Sequence, residues 1–153
     1  MIHCKPNGIF SAGFTLTGDI SHTTLDFSWF TESGTIKTSG HSFEVSRDGI
    51  FSGRWHLRRN GESFVVAEKT SAFRRSIEIT HGHQRYLLKA RSAFGRSMAL
   101  SGPGVDATIS PSHPFTRRSS ITGTLPPPEV IAFAFWLIAL LWKRAANNNS
   151  NSS

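Results

Sequence analysis

From about residue 43 to residue 121, apolar and polar side chains alternate in short runs separated by turn formers. Phe51, Gly53, Trp55 and Leu57 interleave with Ser52, Arg54, His56 and Arg58, the two-residue period of a strand with one buried face. Asn60-Gly61 follows, a strong short hairpin signal, and Phe64 to Glu68 makes the return strand. Ile77 and Ile79 lead into the turn His81-Gly82-His83, after which Tyr86, Leu88 and Ala90 alternate. Met98 and Leu100 lead into Ser101-Gly102-Pro103-Gly104, and Val105, Ala107 and Ile109 alternate beyond it. Earlier in the chain, Phe14/Leu16 and Leu25/Phe27/Trp29 carry the same period over shorter stretches. Many short strands with regular turns predict an all-β sandwich or barrel.

The pattern changes at Val130. From there to Trp142 the chain reads VIAFAFWLIALLW, with no charge, Gly, Pro or polar side chain other than the indoles. A helix that is apolar all round has to be enclosed by protein or by lipid. Thirteen helical residues rise about 20 Å, against about 30 Å of hydrocarbon. The length therefore favours a protein envelope, such as the lumen of a wide barrel, and leaves a C-terminal membrane anchor over 130–142 as the alternative. Pro126-Pro127-Pro128 stops the preceding strand. Glu129 suits the positive end of the helix, and Lys143 and Arg144 its negative end. The expected helix is about 128–144. It closes a single domain of residues 1–146, with 147–153 as a disordered, low-complexity tail.

Charge narrows the range of partners. The 153 residues carry a net charge of +7, unevenly spread. Residues 1–46 hold two Lys against four acids, whereas 47–118 hold thirteen Lys and Arg against five acids. Such a field favours anionic partners. The pairs Arg58-Arg59, Arg74-Arg75 and Arg117-Arg118, near expected strand ends, are candidates for a rim that binds anions or lipid headgroups. The single Cys4 rules out an intramolecular disulfide framework and a Cys-based zinc site; lipidation is its other conceivable use. The N-terminus lacks the basic and apolar regions of a secretory signal. No Gly-rich phosphate loop, HExxH or nucleophile elbow is found, and the acids are scattered singly. The expectation is a non-enzymatic protein with no cofactor or metal.

An internal repeat adds detail. SAFRRSIEI (71–79) and SAFGRSMAL (92–100) share a motif, and PFTRR (114–118) is a partial third copy. Phe73, Phe94 and Phe115 are spaced by 21 residues, as are Arg75, Arg96 and Arg117, so equivalent positions fall on every second strand. Arg75 and Arg96 share the parity of inward-facing residues, and an unpaired buried guanidinium is too costly. Either a bulge re-aims them, or they sit at the rim with a partner. One candidate partner is the carbonyl end of the apolar helix.

FSGRWHLRRNGESFVVAEK, SAFRRSIEI, SAFGRSMAL and the final VIAFAFWLIALLW together resemble the tubby C-terminal domain-like superfamily, over about residues 43–144. That superfamily includes tubby-like proteins, phospholipid scramblases and LURP-one-related proteins. The resemblance implies a mainly β fold: a closed antiparallel barrel of about twelve strands around a C-terminal hydrophobic α-helix. It also implies membrane-lipid or nucleic-acid-related binding. The proline-rich, Cys-rich and acidic calcium-binding segments of scramblases have no counterpart here, and the phosphoinositide-binding residues of tubby proteins do not align residue by residue. The expected partner is an anionic phospholipid or membrane surface, with nucleic acid as the second alternative. The expected location is cytoplasmic or peripheral to a membrane, or single-pass if the helix is an anchor.

Overall fold

The protein, described here from a computed structural model, is seen over residues 1–8, 12–28, 30–49, 52–71, 75–93, 95–113 and 116–151. Twelve strands follow in chain order. The first six are β1 (Ile2–Pro6), β2 (Phe14–Gly18), β3 (Thr23–Ser28), β4 (Ser33–Thr38), β5 (His41–Arg47) and β6 (Arg54–Arg59). The second six are β7 (Glu62–Lys69), β8 (Ser76–His81), β9 (Gln84–Ala90), β10 (Met98–Gly102), β11 (Val105–Pro111) and β12 (Ser119–Thr124). Each pairs antiparallel with its neighbour in sequence, and β1 pairs with β12 through Ile2 and Ile121 to close the barrel. Closure removes every sheet edge.

One end of the barrel is made of tight turns. Ser39-Gly40 and Asn60-Gly61 both have two successive positive φ angles, the type I′ geometry that matches the twist of the strands it joins. Gly82-His83 and Pro103-Gly104 are also two-residue connections at this turn end. The other end carries longer connections of four to seven residues, 7–13, 29–32, 48–53, 70–75, 91–97 and 112–118. It is called the loop end below.

The strands alternate as the sequence predicts. Trp55 and Leu57 on β6, Ile77 and Ile79 on β8, and Leu100 on β10 are buried to 1 % exposure or less. Their polar neighbours face outward. The interior is filled by α1 (Pro128–Asn151), which enters from the turn end after β12. All eleven residues from Val130 to Leu140 are buried. The apolar segment thus sits in the barrel lumen and not in lipid, and no helix among the described residues is long and apolar enough to cross a membrane. The anchor expectation for 130–142 is corrected on this ground: the strands supply the apolar envelope that lipid would have supplied.

Aromatic rings key the helix to the wall. Trp136 stacks on Phe27 with centroids 4.9 Å apart and donates its Nε1–H to the carbonyl of Asp26 at 3.1 Å. Gly34 on β4 makes room, since a Cβ there would collide with the Asp26 carbonyl and lie 2.9 Å from Trp136 Nε1. Phe135 meets Phe14 edge-to-face at 5.1 Å. The helix also runs further than expected. It continues past residue 144 to Asn151, so 147–151 are helical instead of a disordered tail. Eleven buried residues supply the costly nucleus, and each added residue then propagates an existing helix.

Two outcomes follow from this packing. Phe135→Ala, which empties a ring-sized volume in the lumen, is expected to cost about 3–5 kcal/mol in urea unfolding, and truncation at Pro128 to abolish the β signal in circular dichroism. Cys4 points inward on β1 at 2 % exposure, and burial pushes its thiol up to about 12. The native protein is therefore expected to resist thiol reagents at mildly alkaline pH and to react at once when unfolded; fast native labelling would contradict that burial.

Candidate functional site

The loop end gathers the cations. Its six connections contain Arg74, Arg75, Arg91, Arg96, Arg117 and Arg118, against the acids Glu32 and Asp48. The connections of the turn end contain Asp19 and no Lys or Arg. The charge asymmetry read along the chain therefore becomes an asymmetry along the barrel axis, with a positive loop end.

A concavity lies at this end, where the helix emerges. Arg47 closes β5, Lys69 closes β7, and Arg144 comes from α1. With Ser52, Gly53, Glu68, Thr70 and Ser71 they line a cavity of about 440 Å³. Glu32, whose side chain is 11 % exposed, holds the two guanidiniums in place. Arg144 donates to it twice, through Nε to Oε2 and through Nη2 to Oε1, both at 2.6 Å. Arg47 donates from Nη1 to Glu32 Oε1 and from Nε to the Ser52 carbonyl at 2.9 Å. Both guanidiniums also lie against the Trp55 ring, 5.8 and 5.5 Å from its centroid, a cation–π arrangement. Glu32 adopts a left-handed backbone, φ 51°, a costly conformation that persists where surrounding contacts fix it.

One carboxylate facing two guanidiniums leaves excess positive charge, and Lys69 adds to it. Burial first, then Arg144 and Arg47, hold the Lys69 ammonium below the ordinary lysine range, with Glu32 opposing. Gly53 packs against the Lys69 stem, where a Cβ would stand 3.0 Å from Lys69 Cβ. Glu68 is engaged by Arg54 at 3.2 Å on the exposed side. A cavity with this balance suits an anion with several oxygens, such as a phosphate group.

The six arginines expected from sequence do not form one rim. Arg75, Arg117 and Arg118 lie at the loop end, and Arg74 lies outside the described residues. Arg59 borders the Asn60-Gly61 turn at the opposite end, and Arg58, one residue before it, donates to Ser46 Oγ at 3.3 Å. Antiparallel order sends neighbouring strand termini to opposite ends, which separates the Arg58-Arg59 pair from the other two. Arg47, Lys69 and Arg144 were not among those candidates. They are far apart in sequence, and only the path of the helix brings Arg144 to a residue 112 positions earlier.

The question of the repeated arginines is also resolved. Arg75 donates to the Ser92 carbonyl at 2.7 Å, Arg96 to the His113 carbonyl at 3.0 Å, and Arg117 to the Gly8 carbonyl at 2.7 Å. Each sits in a loop just before its strand and reaches the next loop along the rim. Among the described residues, the hydrogen-bond partners of these guanidiniums are loop carbonyls, where the carbonyl end of α1 was the expected candidate. Arg96 does approach the helix differently, with its guanidinium 5.4 Å from the Trp142 ring centroid and its carbonyl accepting from Trp142 Nε1 at 3.1 Å. His81-Gly82-His83 forms the β8–β9 turn, with His81 Nε2 3.9 Å from Glu129.

No family model, curated protein or solved structure matches the chain.

The Glu32 cluster makes a sharp prediction. Glu32→Gln leaves Arg47 and Arg144 facing each other and is expected to cost about 2–3 kcal/mol in chemical unfolding, discounted for partial exposure. Adding Arg47→Gln is expected to recover part of that loss. A double variant whose cost equals the sum of the singles would mean that Glu32 and Arg47 do not act together.

Proposed function

We propose that this protein is a non-enzymatic, tubby-like β-barrel that binds anionic membrane lipid headgroups through its loop end. The observation that carries the reading is the axial charge asymmetry, concentrated where Arg47, Lys69 and Arg144 line a cavity of about 440 Å³. Cations held by Glu32 and Trp55 are pre-organised, so little side-chain entropy is lost when an anion docks. The barrel with its central helix is also the architecture that the tubby-like resemblance implies. A headgroup suits the site better than a duplex nucleic acid, because the basic surface described here is the end of a barrel, with Arg47, Lys69 and Arg144 around a concavity.

The test is sedimentation of the full-length protein with phosphatidylcholine vesicles, with and without phosphatidylserine. Binding only to the anionic vesicles is expected, and Lys69→Gln is expected to weaken it about fivefold, the worth of one basic residue near a charged surface. The pH dependence has a defined sign. Lys69 loses its proton below the ordinary lysine range, so binding falls as pH rises toward that range, and Lys69→Gln flattens that part of the profile. Equal binding to neutral vesicles would overturn the reading. So would duplex DNA that binds more tightly than the vesicles with a steep salt dependence.

A further inference from the structure

We propose that Asp48, His56 and Ser63 form a hydrogen-bonded relay on the outer wall of the barrel that makes Ser63 a nucleophile, so that the protein takes up an acyl group there from an activated carboxylic ester. His56 Nδ1 lies 2.8 Å from Ser63 Oγ, and His56 Nε2 lies 2.7 Å from Asp48 Oδ2. An ionised carboxylate only accepts, so Asp48 holds the imidazole proton on Nε2. The Nδ1 lone pair is then the acceptor for the Ser63 hydroxyl. A hydroxyl paired with a base that a third group orients is the arrangement of an activated nucleophile. The base is shielded, with its side chain 14 % exposed, whereas Ser63 is exposed and can be reached.

The local fold builds this relay. On β7, Val65 and Ala67 are buried, and the two-residue period alone would turn Ser63 inward with them. A β-bulge between Leu57 and Arg58 intervenes, and Ser63 stands opposite Arg58. Arg58 shares the outward parity of His56, so the bulge brings Ser63 to the side of the imidazole. Asp48 is fixed at the base of β6, where its N–H donates to the Arg54 carbonyl at 3.0 Å. A cavity of about 370 Å³ adjoins the nucleophile, lined by Arg59, Asn60, Glu62, Ser63 and Phe64. Arg59 brings positive charge toward the oxyanion that forms when an ester carbonyl is attacked. Phe64 offers an apolar wall to the acyl group. In the step itself, Ser63 Oγ bonds to the acyl carbon while His56 Nδ1 takes the hydroxyl proton. The bond from that carbon to the leaving alcohol's oxygen then breaks, and His56 returns the proton to this oxygen. Nothing is oxidised or reduced, and each chain takes one acyl group. The site borders the Asn60-Gly61 turn, at the opposite end from the Arg47, Lys69 and Arg144 cavity, and is independent of the headgroup reading.

The test is incubation of the full-length protein with p-nitrophenyl acetate, followed by peptide mapping with mass spectrometry. Ser63 is expected to be acetylated about a hundredfold faster than the other exposed serines, the worth of a positioned base. That comparison is made within the unaltered protein and needs no variant. His56→Ala is expected to remove the advantage, and added imidazole to restore part of it. Asp48→Asn is expected to slow the labelling and Asp48→Glu to recover it, with circular dichroism unchanged in both. Ser63→Ala is expected to lose the label while anionic vesicles still bind. Ser63 acetylated no faster than other serines, or at the same rate in His56→Ala, would overturn the relay. Label confined to lysines and the amino terminus would overturn it as well.

Discussion

The structure depends on one mutual constraint: a helix apolar on every side needs an enclosure, and a twelve-stranded closed barrel needs something to fill it. Without the barrel, Val130–Leu140 would expose an apolar surface on every side, Phe133, Phe135 and Trp136 included, to water; without the helix, the inward faces of twelve strands would border an apolar void. Voids of that kind forfeit dispersion contacts on every lining atom. Each strand is only five to eight residues long, so the sheet has little reserve of its own. The Trp136 stack on Phe27 and its bond to Asp26, admitted by Gly34, fix the rotation and depth of the helix.

That fixed depth links the core to the surface. One helix length places Leu140 inside the lumen and Arg144 at its mouth, where Glu32 receives it. A shift of the helix by one residue would turn Arg144 by about 100° away from that carboxylate. The cavity between Arg47, Lys69 and Arg144 is therefore a product of core packing as much as of loop sequence. The excess charge there is tolerable because the cations are split between a partly buried carboxylate, an indole face and partial solvent access.

Much of this fold is legible in the sequence, for physical reasons that also set the limit. Alternation and two-residue turns are local, so β6–β11 and the Asn60-Gly61 hairpin can be read directly. The apolar run announces an enclosed helix, but the identity of the enclosure is a non-local property that length alone only favours. The helix end was less legible: AANNNSN reads as disordered by composition, while a helix anchored by its buried turns propagates through it. The candidate site was mostly hidden. Arg pairs stand out in a sequence, yet Arg58-Arg59 belongs to the opposite end of the barrel from Arg117-Arg118. Arg47, Lys69 and Arg144 have no local signature at all.

The repeat shows why a pattern can be partly visible and still be missed. Aligned on arginine, it covers only the last three loops, because the position two residues after Phe10, Phe30 and Phe51 holds Ala12, Glu32 and Gly53 in the first three. Aligned on the barrel, it covers all six: the residue six places after each Phe is Leu16, Ile36, Leu57, Ile79, Leu100 or Ile121, and each is buried. In the first five copies one unit is a loop-end connection, a strand, a turn-end connection and a return strand; in the sixth, β12 leads into α1 and β1 closes the barrel in place of a return strand. The core position is kept in all six copies because every strand must face the same helix. The position two residues after the Phe varies because its partner varies. It is arginine where the neighbouring loop offers a carbonyl, and glutamate where the helix delivers Arg144. The rim chemistry thus follows the asymmetry that a single off-repeat helix imposes on a nearly sixfold barrel.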